Sequence, residues 1–89
     1  MNRELTFKDC AWTDYLYWQS KDKSALKKIN ALLKDILRSP FDGEGKPEPL
    51  KYNKQGYWSR RIDGANRLVY KITDTQVIIV ACKGHYDDK

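Results

Sequence analysis

Two side chains in the second half of the sequence could carry acid–base chemistry. His85 is the sole histidine, and imidazole exchanges protons near neutral pH. Glu48 lies between Pro47 and Pro49, which fix the backbone around a carboxylate that could act as a general base. Taken alone, Glu48 is better explained as a counter-charge among lysines, and a lone histidine near a chain end is more often incidental than catalytic. Neither residue therefore defines a site by itself.

The arginines of this half add a way to bind phosphate. Strand alternation places Arg61 and Arg67 on one face of two consecutive predicted strands, opposite the apolar side chains. Two guanidinium groups on a rigid hairpin suit a phosphate, because each donates in a planar fork and keeps its charge. The alternative is an ion pair with a local acid such as Asp63, which we favour less because acids are scarce there. Arg60 falls on the core-facing side, and we interpret it as a structural arginine at a strand edge.

Together these residues supply a carboxylate base, two fixed cations and an imidazole acid. That set matches metal-free RNA cleavage, in which the 2′-hydroxyl attacks the adjacent phosphate while an acid protonates the departing 5′-oxygen. The only cysteines, Cys10 and Cys82, cannot form a zinc site with one histidine. We therefore predict no metal and no cofactor. We interpret both cysteines as reduced core thiols, with a disulfide between them as the less favoured alternative.

The positive charge of the chain is concentrated near these residues. The 89-residue sequence has a net charge of +5, and residues 46–71 hold seven basic residues against two acidic ones. The remainder has ten of each, so the whole excess lies in one stretch. Such an excess attracts polyanions, above all nucleic acid. A solvated basic face on a soluble protein is the alternative, and charge alone does not decide between them.

The first half of the chain predicts a strand and two helices. Arg3–Phe7 has the pattern of a strand, Asp9 is the expected N-cap of a first helix that ends near residues 20–22, and Lys23–Leu37 forms a second helix. The second helix ends at Ser39-Pro40. Its apolar residues form one buried stripe, and the side chains expected to face away from it are Lys27, Lys28, Lys34 and Asp35.

The second half predicts an irregular loop and three strands. The loop covers residues 40–49, and the strands cover Gly56–Ile62, Asn66–Thr73 and Gln76–Lys83. A hairpin turn at Asp63-Gly64-Ala65 should use the glycine for positive φ. The last strand is continuously apolar, so we expect it to be central and covered on both faces. The prediction is one α+β domain over residues 1–89, with two N-terminal helices on one face of a mostly antiparallel sheet of about five strands.

Several segments resemble the YoeB/Txe-type toxins of the RelE superfamily. The resemblance lies in residues 12–19, 27–30, 43–51, 57–62 and 67–70 and in the pair His85-Tyr86. It spans nearly the whole chain in order. It implies a microbial-ribonuclease-like sheet packed on two helices, and a toxin of a type II toxin–antitoxin pair that cleaves mRNA in the ribosomal A site.

The resemblance also implies roles for individual residues and partners. The catalytic residues implied are Glu48 as base, Arg67 as cation, and His85 and Tyr86, with Lys51 and Arg61 binding RNA or phosphate. Which of His85 and Tyr86 delivers the proton stays open. The partners implied are a cognate antitoxin with an acidic, partly disordered tail, the 70S ribosome with its mRNA, and operator DNA reached mainly through the antitoxin. A homodimer stays open.

Two rival functions use the same basic face without catalysis. One is a nucleic-acid-binding module, and the other is an interaction domain that docks an acidic partner. Neither rival requires Glu48 or His85. The sequence has no apolar run as long as a membrane span and no signal-peptide pattern at its start, so we expect a protein of the bacterial cytoplasm.

Overall fold

A five-stranded sheet lies against two helices. The structure, a computed structural model, describes residues 3–50 and 56–84. Its elements in chain order are β1 (Glu4–Phe7), α1 (Asp9–Lys21), α2 (Lys23–Arg38), β2 (Glu48–Pro49), β3 (Tyr57–Arg61), β4 (Arg67–Ile72) and β5 (Gln76–Ala81). The predicted α+β class, with two helices before most of the strands, is confirmed. No helix in this part of the chain is long and apolar enough to cross a membrane.

The sheet is mixed, with the strand order β1-β5-β4-β3-β2. Among the strands of the described residues, β1 and β5 pair in parallel and the other neighbours are antiparallel. The last strand is internal, as predicted. The prediction that both faces of this strand are covered was wrong. Val77 and Ile79 are fully buried, whereas Ile78 and Val80, on the opposite face, are only partly buried. The two helices therefore cover one face of the sheet, and we call the face that they do not cover the open face.

The second helix follows its predicted stripe. Ile29, Leu32 and Ile36 are fully buried against the sheet, as expected for an amphipathic helix. The Asp22 carboxylate accepts hydrogen bonds from the backbone N–H groups of Ser24 and Ala25, which start the helix. This single capped residue separates α1 from α2, where the sequence predicted a break.

Three local predictions were wrong. Asp9 is the first residue of α1 and not its cap; Lys8 occupies that position with no side-chain cap bond. The loop over residues 40–49 contains the short strand β2, which has too few residues for a periodic pattern. Gly64 has no positive φ, because the Asp63 carboxylate closes the turn by accepting the N–H groups of Ala65 and Asn66.

Candidate active site

The uncovered face of the sheet brings together three of the predicted site residues. Arg61 and Arg67 are directly paired across β3 and β4, and Glu48 pairs with Ser59 in β3. Paired residues on antiparallel strands point to the same face, with Cβ atoms about 4.5–5.5 Å apart. Ser59 is two residues from Arg61, so Glu48 lies one row, about 7 Å along the strands, from the arginine pair. The three side chains therefore lie on the same face of neighbouring strands.

The residues beside these charged side chains on the same face are buried. Ser59 is 2% exposed and Val69 is 1% exposed, although both belong to the face that the helices do not cover. They continue the row that starts at Glu48. Glu48 and Arg61 are themselves exposed, and Arg67 is partly exposed. The charged groups therefore project from a packed surface toward solvent.

The nearby acid Asp63 is engaged elsewhere. Its carboxylate accepts the N–H groups of Ala65 and Asn66 and the Asn66 side-chain amide. The Ala65 hydrogen bond is the main cause that lowers the pKa of Asp63. Within residues 3–50 and 56–84, both ion pairs involve Asp35 and neither involves Arg61 or Arg67. Among these residues, the alternative in which Asp63 neutralises the arginines is therefore not realised.

The described chain ends beside this arginine pair. The Gly84 carbonyl accepts the backbone N–H of Arg67 at 3.0 Å, and the Gly84 N–H donates to Asn66 Oδ1 at 2.7 Å. Gly84 has a φ of +83°, which glycine adopts without strain. The remaining predicted site residues, Lys51, His85 and Tyr86, lie outside the described residues, and their roles stay predictions.

A cluster of hydrogen-bonded side chains lies on the helix side of β3, and the sequence predicted the position of one of its members, Arg60. Arg60 faces the core, as expected, but Asp35 was predicted to face away from the buried stripe and is instead buried. Arg60 Nη1 donates to Asp35 Oδ2 at 2.6 Å. Arg60 Nε also donates to the hydroxyl of buried Tyr70 at 3.0 Å. We call Arg60, Asp35 and Tyr70 the Arg60 cluster.

Charge and hydrogen bonding set the protonation of this cluster. The hydrogen bond from Arg60 is the main cause that lowers the pKa of Asp35 to about 2, so the carboxylate is charged at neutral pH. A core-facing arginine needs an acceptor, and Asp35 follows Leu32 of the stripe by three residues. These two facts were the signal that could have identified the pair from the sequence.

The cysteines differ from one another. Both are free; Cys82 is buried, whereas Cys10 is exposed, so the prediction of a core thiol was right for Cys82 and wrong for Cys10. Burial raises the pKa of Cys82 to about 12. In the two described segments, no group of three or more His, Cys, Asp or Glu side chains could hold a metal ion.

The comparison with known proteins decides the family. The model of YoeB-like toxins of bacterial type II toxin–antitoxin systems matches residues 7–86. The chain belongs to this family. A curated relative, Toxin YoeB of Escherichia coli strain K12, is 55% identical over 83 residues, which are 93% of this chain and 99% of the relative. The resemblance found in the sequence is thereby confirmed.

Two solved structures from Staphylococcus aureus share the fold of this YoeB-like toxin. A YoeB dimer has a TM-score of 0.89 and 48% identity, and a YoeB–YefM complex has a TM-score of 0.85 and 47% identity. Each comparison covers 97% of this chain and all of the other. The two-helix, five-stranded architecture is therefore that of solved members of the family.

Proposed function

We propose that this YoeB-like toxin is an endoribonuclease that cleaves mRNA in the ribosomal A site without a metal ion. The observation that carries the proposal is the placement of Glu48 one row from the directly paired Arg61 and Arg67 on the open face. This placement supports the proposal, because 2′-hydroxyl attack needs a base and positive charge close to the same phosphate.

Each step then has a named group. Glu48 takes the proton from the 2′-hydroxyl, whose oxygen forms a bond to the adjacent phosphorus. Arg61 and Arg67 stabilise the charge of the crowded phosphorane. The bond to the 5′-oxygen breaks, and His85 protonates this leaving group, with Tyr86 as the alternative donor. The products are a 2′,3′-cyclic phosphate and a 5′-hydroxyl, and DNA, which lacks the 2′-hydroxyl, is not cleaved.

The path of the chain supports His85 as the acid. Gly84, which precedes it, is bonded through its carbonyl to Arg67 and through its N–H to Asn66. These bonds place Gly84, the last described residue before His85 in the sequence, beside Arg67, one of the two arginines that we propose bind phosphate. We propose that Lys51, which also lies in the basic stretch, binds an RNA phosphate.

The proposed regulation is an antitoxin that covers the same face. The family belongs to toxin–antitoxin systems, and the Staphylococcus aureus relative is a YoeB–YefM complex. An acidic, partly disordered tail would meet Arg61 and Arg67, which have no acidic partner among the described residues. The pair would act in the bacterial cytoplasm and bind operator DNA mainly through the antitoxin, and the toxin alone would form a dimer like its relative.

Expression in a bacterial host tests this function. Glu48→Gln keeps the size of the side chain but removes the base, so we expect it to abolish growth arrest and to leave only a small residual rate of mRNA cleavage. Growth curves measure the arrest, and primer extension on translated messages measures the cleavage. Glu44→Gln is the matched control, because Glu44 is an exposed acid four residues away. His85→Ala should resemble Glu48→Gln.

The outcomes separate catalysis from binding alone. If Glu48→Gln and His85→Ala arrest growth as strongly as the unchanged toxin and no cleavage accompanies the arrest, the protein is a non-catalytic binding module. Cleavage of free and translated RNA at equal rates would remove the dependence on the ribosome and leave the chemistry intact.

A further inference from the structure

The Arg60 side chain lies on the helix side of the sheet. It is fully buried, and all five N–H donors of an arginine are used. Nε donates to Tyr70 Oη (3.0 Å), Nη1 to Asp35 Oδ2 (2.6 Å) and Glu44 O (3.1 Å), and Nη2 to Ser39 O (2.6 Å) and Asp42 O (3.0 Å). Three of the five acceptors are backbone carbonyls of one irregular segment, residues 39–45.

The partners of Arg60 hold the same segment. Tyr70 Oη donates to the Pro40 carbonyl at 3.0 Å, and Asp35 Oδ2 accepts the Glu44 N–H at 3.0 Å. Gly43 approaches Asp35 so closely that an added Cβ would lie 2.1 Å from Oδ2. The Arg60 cluster therefore fixes the backbone of a segment that has no helix or strand of its own.

This segment leads directly to Glu48. The Gly45 carbonyl accepts the Arg61 N–H at 2.7 Å, and pairing resumes at Glu48 opposite Ser59. On the way to Glu48, the backbone of Gly45 and Lys46 has φ values of +80° and +53°. A lysine in the left-handed region is strained and persists only where the surrounding structure imposes it.

The same strand serves both faces of the sheet. Arg60 points from β3 toward the helices and holds residues 39–45, whereas the next residue, Arg61, points to the open face. A displacement of the segment relative to β3 would thus change the distance between Glu48 and the arginine pair. A misplacement of about 1 Å can cost about a hundredfold in rate.

We infer that Arg60, with Asp35 and Tyr70, is a positioning residue that fixes the base Glu48 relative to Arg61 and Arg67. The Arg60 cluster does not contact RNA and acts through the backbone of residues 39–45. The inference rests on the proposed function for its catalytic consequence, while its structural part can be tested without any cleavage assay.

Tyr70→Phe is the test variant, because it removes one hydroxyl and keeps the buried ring. Tyr15→Phe is its matched control, since the Tyr15 hydroxyl donates to Asn30 at 2.8 Å between the helices. We expect amide hydrogen exchange at Glu44 and Arg61 to accelerate about tenfold in Tyr70→Phe, as for one lost hydrogen bond, and not in Tyr15→Phe. Exchange in β5 should stay unchanged in both variants.

A double-mutant cycle tests the catalytic part. Single-turnover cleavage of ribosome-bound mRNA should slow about tenfold in Tyr70→Phe with unchanged RNA affinity. In the Glu48→Gln background the same substitution should change the residual rate by about twofold or less, because the group it positions is gone. Asp35→Asn keeps the shape of the side chain. We expect it to slow cleavage as Tyr70→Phe does when Glu48 is present, and to have little effect in the Glu48→Gln background.

Each contrary result has a distinct meaning. Unchanged exchange at Glu44 and Arg61 in both variants would overturn the positioning role, and so would equal rate losses with and without Glu48. In either case an inactive Glu48→Gln would leave the proposed function standing. If Glu48→Gln cleaves at the unchanged rate, both the proposed base and the inference about its positioning are wrong.

Discussion

Arg60 and Arg61 are neighbours in β3 and have opposite surroundings. Arg60 is fully buried on the helix side, and each of its donors has a protein acceptor. Arg61 is exposed on the other side, opposite Arg67, and the described residues provide it with no acidic partner. The first guanidinium is committed to the protein, and the second is available to a polyanion.

This difference separates the helix-covered face of the sheet, which is structural, from the open face, to which we assign the proposed function. A buried charge must be paired and hydrogen-bonded to be tolerated, and Asp35 meets that need on the helix side. Like charges directly opposite on an exposed face are destabilising, and a bound phosphate would relieve the repulsion between Arg61 and Arg67. Removing one arginine should therefore affect folding and removing the other should affect activity.

The largest effect expected is on stability. Arg60→Ala leaves Asp35 charged and buried with one remaining ion-pair partner, so we expect the free energy of unfolding to fall by about 3–5 kcal/mol. Arg61→Ala should change it by about 0.5 kcal/mol or less. Urea unfolding of both variants in the Glu48→Gln background, which should be non-toxic, measures the difference. Equal losses would remove the distinction between the two faces.

The next effect is on cleavage. Arg67→Ala should slow mRNA cleavage about 10²–10³-fold, because one of two groups that stabilise the transition-state charge is lost, with little change in stability. Lys27→Ala, an exposed basic residue of α2, is the control and should cleave at the unchanged rate. An equally active Arg67→Ala would show that the open face does not carry the chemistry proposed for it.

Gly43, beside the Arg60 cluster, and Gly64, in a surface turn, should respond differently to the same substitution. Gly43 has a φ of +119° and no room for a Cβ beside Asp35, whereas nothing lies within 4 Å of a Cβ at Gly64. Gly43→Ala should therefore lower the free energy of unfolding by about 1–3 kcal/mol. Gly64→Ala should change it by about 0.5 kcal/mol or less. Thermal or urea unfolding distinguishes them, and similar values would contradict the close packing around the Arg60 cluster.

The last effect is the dependence of stability on pH. Because the pKa of Asp35 is lowered from 3.8 to about 2 in the folded protein, its stabilisation is complete above about pH 4 and is lost as the pH falls toward 2. Asp35→Asn should be less stable at neutral pH but lose less stability over this interval. Asp63→Asn is the matched control. Asp63 also has a lowered pKa, but its carboxylate closes a surface turn and is not part of the buried ion pair.

An unchanged acid dependence in Asp35→Asn would contradict the assignment of this loss to the buried ion pair. The measurement is the free energy of unfolding at several pH values between about 2 and 6, with the same denaturant for all three proteins.

Local patterns predicted the elements and the faces of the arginines. The stripe of α2 contains Ile29 and Ile36, and strand alternation placed Arg61 with Arg67, because both patterns repeat within one element. The burial of Asp35 does not follow from its own helix alone, although Asp35 follows Leu32 of the stripe by three residues. It depends on Arg60, which is 25 residues away in sequence.

The site was predictable to different degrees. The short strand β2, which places Glu48, has two residues and exists only because β3 pairs with it, so no pattern in residues 40–49 predicts it. The Arg61–Arg67 pairing follows from the hairpin itself, whereas the roles of Lys51, His85 and Tyr86 come from the resemblance to the family.

The most direct test of RNA cleavage by the open face uses a message with one 2′-deoxyribose at the cleavage position, bound in the ribosomal A site. We predict that the toxin leaves this message intact, and that the all-ribose message yields a 2′,3′-cyclic phosphate and a 5′-hydroxyl. Cleavage of the deoxy-substituted message at the normal rate, or products that carry a 5′-phosphate, would contradict 2′-hydroxyl attack.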